Sequence, residues 1–198
     1  TVVLDLAGKT IAGITDDADK NDDGKLTSAD NEVMIDVRGT LTVKNGTMTI
    51  EHKAENFGWN ACTEIFYVGF NGTLNVENAT LVNKGGSDMA YVIDMVNADA
   101  KGNGITVNVD NSTLKSSYIA FRVFNNGSGM NNVTIQNTAL TGTSRALWVH
   151  IYSSKDNGGK GIKDATLNLD IFGNGNTYTA NNPDRIIEFG FDDEINFT

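Results

Sequence analysis

A chain of 198 residues, 39% of them hydrophobic, is long enough to enclose one continuous core. It contains no apolar run approaching the roughly 20 residues that cross a bilayer. Its net charge of −10 repels phosphate backbones and anionic membrane surfaces, so neither nucleic acid nor a membrane is an expected partner.

The single cysteine, Cys62, has no partner for an internal disulfide, which leaves packing, backbone pairing and metal to stabilise the fold. Pro183 is the only proline, against 21 glycines and many Asn and Thr, a composition that suits short strands joined by tight turns. Thr1 opens directly on the strand-like run Val2-Val3-Leu4-Asp5-Leu6, without initiator methionine or secretory leader. The chain therefore reads as a mature or trimmed piece of a longer precursor with flanking domains.

From the N-terminus, the first predicted element is Leu4-Asp5-Leu6-Ala7-Gly8-Lys9-Thr10-Ile11, apolar and polar in alternation up to Gly8. An insertion over 14–32 follows, and its segment Asp19-Lys20-Asn21-Asp22-Asp23-Gly24-Lys25-Leu26-Thr27-Ser28-Ala29-Asp30 has oxygen-bearing side chains at alternate positions. Calcium takes six to eight oxygen ligands, and the spacing matches a twelve-residue EF-hand loop. Asp19, Asn21 and Asp23 fill positions 1, 3 and 5 of that loop, and Gly24 makes the sharp turn. Lys25 offers its carbonyl, and Asp30 closes the loop where the commoner pattern has Glu. A loop ending in Asp resembles the dockerin type, but dockerins carry two such loops with flanking helices, so the metal site transfers and cohesin binding does not. The competing reading is a solvated acidic turn.

Beyond the insertion the alternating pattern returns with Asn in the slot of Gly8. The copies are Leu41-Thr42-Val43-Lys44-Asn45-Gly46-Thr47-Met48, Leu74-Asn75-Val76-Glu77-Asn78-Ala79-Thr80-Leu81, Val107-Asn108-Val109-Asp110-Asn111-Ser112-Thr113-Leu114 and Val133-Thr134-Ile135-Gln136-Asn137-Thr138-Ala139-Leu140. A last copy, Leu167-Asn168-Leu169-Asp170-Ile171, lacks the Asn. The six copies begin at residues 4, 41, 74, 107, 133 and 167, at spacings of 37, 33, 33, 26 and 34. Period two marks strands with one buried face, and Asn tolerates the left-handed backbone of a sharp turn.

A second strand series lies between the copies, over Val33 to Val37, Phe66 to Phe70, Tyr91 to Val96, Ala120 to Phe124, Leu147 to Tyr152 and Arg185 to Phe189. Each repeat thus holds at least two strands, with room for a short third after the Asn turn. The segment Glu51 to Glu64 reads as a loop.

The repeat length, the Asn column and phrases such as Gly39-Thr40-Leu41-Thr42-Val43-Lys44-Asn45-Gly46 resemble right-handed parallel β-helix proteins, the pectate-lyase-like folds of bacterial polysaccharide-active enzymes and surface proteins. The resemblance covers nearly the whole chain. It implies one all-β domain over 1–198, a right-handed parallel β-helix of about six rungs, at the cell surface or secreted. A β-sandwich also gives short alternating strands, but it predicts no Asn slot recurring at this interval.

Phasing the second series by alternation points Ile35, Val37, Phe66, Val68, Phe70, Ile93, Met95, Phe121, Val123, Leu147, Val149, Ile151, Ile187 and Phe189 inward. Asp36, Tyr67, Asp94, Arg122, His150 and Glu188 then face outward, with Trp148 and Tyr152 beside them. Stacked about 4.8 Å apart, Asp94, Arg122, His150 and Glu188 would form one line of mixed charge. The line reads either as a ladder of ion pairs or as a polysaccharide or host-glycan groove in which Tyr67, Trp148 and Tyr152 offer flat rings to sugars. The resulting expectation is a non-catalytic adhesive or glycan-binding module. The alternative is a polysaccharide lyase or glycoside hydrolase on the same face, with Asp94, Arg122 and His150 as weak catalytic candidates. The carboxylates fit poorly, because Asp94 and Glu188 stand three rungs apart, about 14 Å, beyond the ~5–9.5 Å used in glycoside hydrolysis.

Overall fold

Parallel pairing between segments some thirty residues apart organises the chain. The computed structural model of the protein describes residues 1–15, 31–52, 62–69, 71–85, 89–97, 104–125, 129–151 and 165–191. Its strands fall into six successive levels. Level one holds β1 (Val2–Asp5), β2 (Thr10–Thr15) and β3 (Glu32–Val37), and level two β4 (Thr40–His52) and β5 (Thr63–Val68). Level three has β6 (Thr73–Asn83) and β7 (Ala90–Asn97), and level four β8 (Thr106–Asp110), β9 (Thr113–Ser116) and β10 (Ile119–Asn125). Level five comprises β11 (Gly129–Gln136), β12 (Ala139–Gly142) and β13 (Arg145–Ile151), and level six β14 (Ala165–Phe172), β15 (Thr177–Ala180) and β16 (Ile187–Phe191). A short 3-10 turn, Pro183–Arg185, leads into β16 and is capped by the Asn182 side chain, which accepts from the amide of Asp184 at 3.0 Å.

The strands form two sheets, and neighbours in both run parallel. The first has ten strands, in which β4 and β6 each pair with both limbs of an adjoining level. The second has six, in the order β16-β13-β10-β7-β5-β3. The expectation of an all-β chain with stacked parallel strands therefore holds, and the short third strand is present as β9, β12 and β15.

Registers carry the apolar residues into files. In the first sheet Leu4, Val43, Val76, Val109, Ile135 and Ile171 stand over one another. In the second, one file is Ile35, Phe66, Ile93, Phe121, Leu147 and Ile187, and another is Val37, Val68, Met95, Val123, Val149 and Phe189. Files from both sheets join one core, in which Phe66, Leu74, Phe121 and Leu147 are fully buried. These inward assignments agree with alternation in register, but at the last level Ile187 and Phe189 stay 37% and 50% exposed, and Phe70 lies outside the described residues.

The Asn column stands at the bend inside the first sheet. Asn45, Asn78, Asn111 and Asn137 have φ of 57°, 50°, 45° and 47°, the left-handed region that Asn tolerates better than most residues. The Asn111 Nδ2 donates to Asn78 Oδ1 at 2.5 Å, linking levels three and four, whereas Asn45 donates to Asp5 Oδ1 at 3.2 Å. A parallel file on the outer face adds Asn108 Nδ2 to Asn75 Oδ1 at 2.8 Å and Asn75 Nδ2 to Thr42 Oγ1 at 3.2 Å.

Two end copies sit two residues away from the sequence alignment. Val2 and Leu4, rather than Leu4 and Leu6, pair with Leu41 and Val43, while Thr10 and Ile11 keep their places opposite Thr47 and Met48. The first corner is therefore longer. Ala7 (φ 47°) and Gly8 (φ 78°) both turn left-handed there, and Leu6 folds in against Gly46. In the last copy Leu169, not Leu167, pairs with Val133. Gly173 (φ 92°) then follows Phe172 just as Asn137 follows its partner Gln136, so the corner slot that seemed lost is filled by glycine.

The corner predicts its own energetics. Asn78→Ala loses the amide link and must hold a left-handed backbone, and should destabilise the chain by about 1–2 kcal/mol. Asn78→Gly loses the link but not the conformational tolerance, and should cost less. Denaturant unfolding of the two variants measures the difference, and equal costs would remove backbone conformation as the reason for Asn at this position.

Candidate functional site

Strict alternation in the second sheet would place Glu64, Tyr91, Ile119 and Arg145 inside, two residues before Phe66, Ile93, Phe121 and Leu147. The strands instead bury two consecutive residues at this point. Ile65-Phe66, Val92-Ile93, Ala120-Phe121 and Ala146-Leu147 all belong to the main core. The slip falls at the same place in these four strands, so the register between them survives it. Residues on either side of each pair consequently share the outer face. Tyr91 and Ile119 join Cys62 in a second apolar cluster there, and Met89, Tyr118 and Trp148 pack against it.

The outward file reads Asp36, Tyr67, Asp94, Arg122, Trp148, Glu188. Trp148 thus stands where alternation put His150. His150 pairs with Phe124 and Gly190, two residues farther along the strand direction, so the expected line Asp94, Arg122, His150, Glu188 is corrected at its third member. The reason is register: β13 pairs with β10 through Trp148 opposite Arg122.

The charged members of the file are engaged with one another. Arg122 grips Asp94 with both ends of its fork, Nε to Oδ1 at 2.7 Å and NH2 to Oδ2. Asp94 is only 1% exposed, and the Arg122 side chain 12%. The guanidinium carbon lies 4.2 Å from the Tyr91 ring centroid and 5.2 Å from that of Phe124, stacking positions that suit a weakly hydrated planar cation. Burial opposes the charge on Arg122, but Asp94's charge and hydrogen bonds outweigh it and hold the cation more firmly than in water.

A second bidentate pair joins Arg145 to Glu188, Nε to Oε2 at 2.7 Å and NH2 to Oε1 at 3.1 Å, with Arg145 lying 4.8 Å over the Trp148 ring. Asp36 accepts from Arg38 Nε at 2.8 and 2.9 Å. The three carboxylates of the file, Asp36, Asp94 and Glu188, are thus each held by an arginine. The observation favours the ion-pair reading of this file, since a carboxylate held by a bidentate arginine is kept ionised and its acceptor sites are occupied.

Sequence reasoning missed Glu64, Tyr91 and Arg145 on this face. Glu64 lies in β5, not in a loop, and is 1% exposed. Neither of its oxygens has a well-formed hydrogen bond among the described residues, although the Cys62 thiol and Asp94 lie close enough to interact with it. Burial and the neighbouring Asp94 charge push its carboxyl well above the usual range. Burial likewise raises the Cys62 thiol to about 12, which leaves it protonated and unreactive, and raises the Tyr67 phenol. The signal for these residues was available: each second-series strand carries two adjacent apolar or small residues where alternation demands one.

Rings gather at the far side of the face. The Trp148 and His150 rings lie 5.2 Å apart, and Phe124 meets His150 edge-on at 6.0 Å. Tyr152 is outside the described residues, as are the predicted metal ligands Asp19, Asn21, Asp23, Lys25 and Asp30. Among the described residues no group of three or more His, Cys, Asp or Glu is placed to hold a metal. An apolar groove of about 450 Å³ lies where the inner files end, lined by Val2, Leu4, Ile35, Val37 and Leu41. It contains none of the predicted face residues apart from Asp36. No family model matches the sequence, and no curated protein or solved structure matches it.

The buried pair predicts a non-additive mutational pattern. Arg122→Met leaves Asp94 buried and uncompensated and should cost about 3–5 kcal/mol, whereas the double variant Arg122→Met/Asp94→Leu should recover most of that loss. Equilibrium unfolding of the single and double variants tests this, and strict additivity would mean the two side chains do not depend on each other.

Proposed function

We propose that the chain is a non-catalytic module of a bacterial surface or secreted protein, wound as a right-handed parallel β-helix of about six rungs, that binds glycans on the outer face of its second sheet. The winding is supported by the two parallel sheets, each taking its strands level by level from the same repeats. The glycan reading rests on one observation: the run of partly exposed rings Phe124, His150 and Trp148 across adjoining strands, with Tyr67 in file with Trp148. Sugar rings stack on such faces, and the Arg145–Glu188 pair over the Trp148 ring holds that ring in place. The engagement of Asp36, Asp94 and Glu188 by arginines supports recognition rather than hydrolysis.

An array of neutral and acidic polysaccharides tests the reading. The chain should bind one class, Trp148→Ala should weaken that binding about tenfold or more, and Trp148→Phe should keep part of it. Binding to no member, or binding indifferent to Trp148, overturns the groove. Release of reducing or unsaturated ends during incubation would instead establish the enzyme alternative.

We further propose that Asp19, Asn21, Asp23, Asp30 and the Lys25 carbonyl bind calcium. The segment joins β2 of the first sheet to β3 of the second. A bound cation would offset the conformational entropy lost in ordering so long a connection. Chelator should lower the melting temperature, and Asp23→Ala should abolish that response. A melt identical with and without calcium would sink the proposal.

A further inference from the structure

Glu64 is an unusual group to find on a sheet face. It pairs in register with Tyr91, and Asp94, three residues beyond Tyr91, pairs with Tyr67. Both carboxyls point to the same outer side because of the slip at Ile65-Phe66, and both are 1% exposed. The groups around Glu64 can be taken strand by strand. Asp36 stands on β3, Cys62 and Tyr67 on and just before β5, Tyr91 and Asp94 on β7, and Arg122 on β10.

Only Arg122 among these carries positive charge, and its fork is committed to the two Asp94 oxygens. An ionised Glu64 would therefore be a second buried anion beside Asp94, with one cation between them and no donor but the weak Cys62 thiol. Buried charge without a hydrogen-bonded partner is among the costliest arrangements in a protein. A carboxylic acid removes the conflict. Its O–H donates to Asp94, whose carboxylate has acceptor capacity left after the two Arg122 bonds.

We propose that Glu64 and Asp94 form a proton-binding site, holding one proton between two carboxyls with Glu64 as the acid, and that loss of this proton loosens the outer face of the second sheet. Two neighbouring carboxyls hydrogen-bond only when one is protonated, and the contact with Asp94 is one of the causes that hold the proton on Glu64. The Cys62 thiol, the other group in reach of Glu64, is a weak donor. The raised proton affinity of Glu64 follows first from burial and then from Asp94's charge. Cys62 and Tyr91 remain neutral through the same range, since burial raises both. They supply no competing charge.

Stability then depends on pH in a defined direction. The folded chain binds a proton that the unfolded chain has released above its ordinary carboxyl range. The stabilisation is complete below the unfolded value and is lost as pH rises toward the folded value. Glu64→Gln keeps the shape and a donor for Asp94 but cannot ionise. In unfolding experiments from pH 5 upward, the folding equilibrium constant of the wild-type chain should fall relative to Glu64→Gln by about tenfold per pH unit until Glu64 ionises in the folded state. Carbon-13 NMR of the wild-type glutamate carboxyls should show one still protonated at neutral pH, and this readout needs no variant. A difference between the two chains that stays constant with pH overturns the proposal. So does a neutral-pH spectrum in which every glutamate is ionised.

Discussion

Parallel register between successive levels is the constraint on which the remaining structure depends. When strands stack in register about 4.8 Å apart, a residue's environment is set mainly by its counterparts one level above and below, not by its sequence neighbours. Val43 is buried because Leu4 and Val76 flank it, and Asp94 meets Arg122 because β7 and β10 align those two positions. A step of one residue in any level would turn its apolar file outward and carry its polar file into the core. The corners protect against this. Left-handed Asn45, Asn78, Asn111 and Asn137 fix where each bend falls, and side-chain amides tie neighbouring levels at the same height.

The same logic explains why the outer face of the second sheet is polar in composition but closed in practice. Two consecutive inward residues per strand bring Glu64 beside Tyr67 and Tyr91 beside Asp94 on one side, which doubles the density of large side chains there. Such density excludes water. Ionisable groups in that setting must find partners or lose their charge. Arg122 and Asp94 take the first course, as do Arg145 and Glu188, and Glu64 takes the second. Aromatic rings beneath the guanidinium groups complete the packing of this face, Tyr91 under Arg122 and Trp148 under Arg145.

How much of this was legible in the sequence follows from which signals are local. The Asn slot and the alternation of Leu41 to Met48 repeat visibly, so strand direction, level count and the inner files could be read from spacing alone. Tyr67, Asp94, Arg122, Trp148 and Glu188 fell on the right face for the same reason. Errors arose where the chain departs from period two. Glu64 and Arg145 lie on the far side of the slip, and the first and last copies were aligned two residues out because Ala7-Gly8 widens one corner and Gly173 replaces Asn at another. His150 was placed in file with Arg122 because alternation gives the correct side but not the correct partner; only strand pairing sets that.

Carboxylates of an acidic chain aid solubility by mutual repulsion when they stay in water. Here part of the acid lies within the face: Asp94 and Glu188 are matched by an arginine on the adjoining strand and Asp36 by one two residues away, while Glu64 has none. The arrangement links the levels energetically. Removing Arg122 unbalances Asp94, and with it the partner toward which Glu64 turns its proton. The effect of a substitution at level four is therefore felt at levels two and three, along the stacking direction rather than along the sequence. A ligand resting on Trp148, which packs under Arg145 and against the Tyr91 and Ile119 cluster, would press on the same network from the level above. The proposed recognition at the rings and the proposed protonation at the carboxyls thus share one set of side chains, with Tyr91 touching Arg122 and belonging to the cluster against which Trp148 packs.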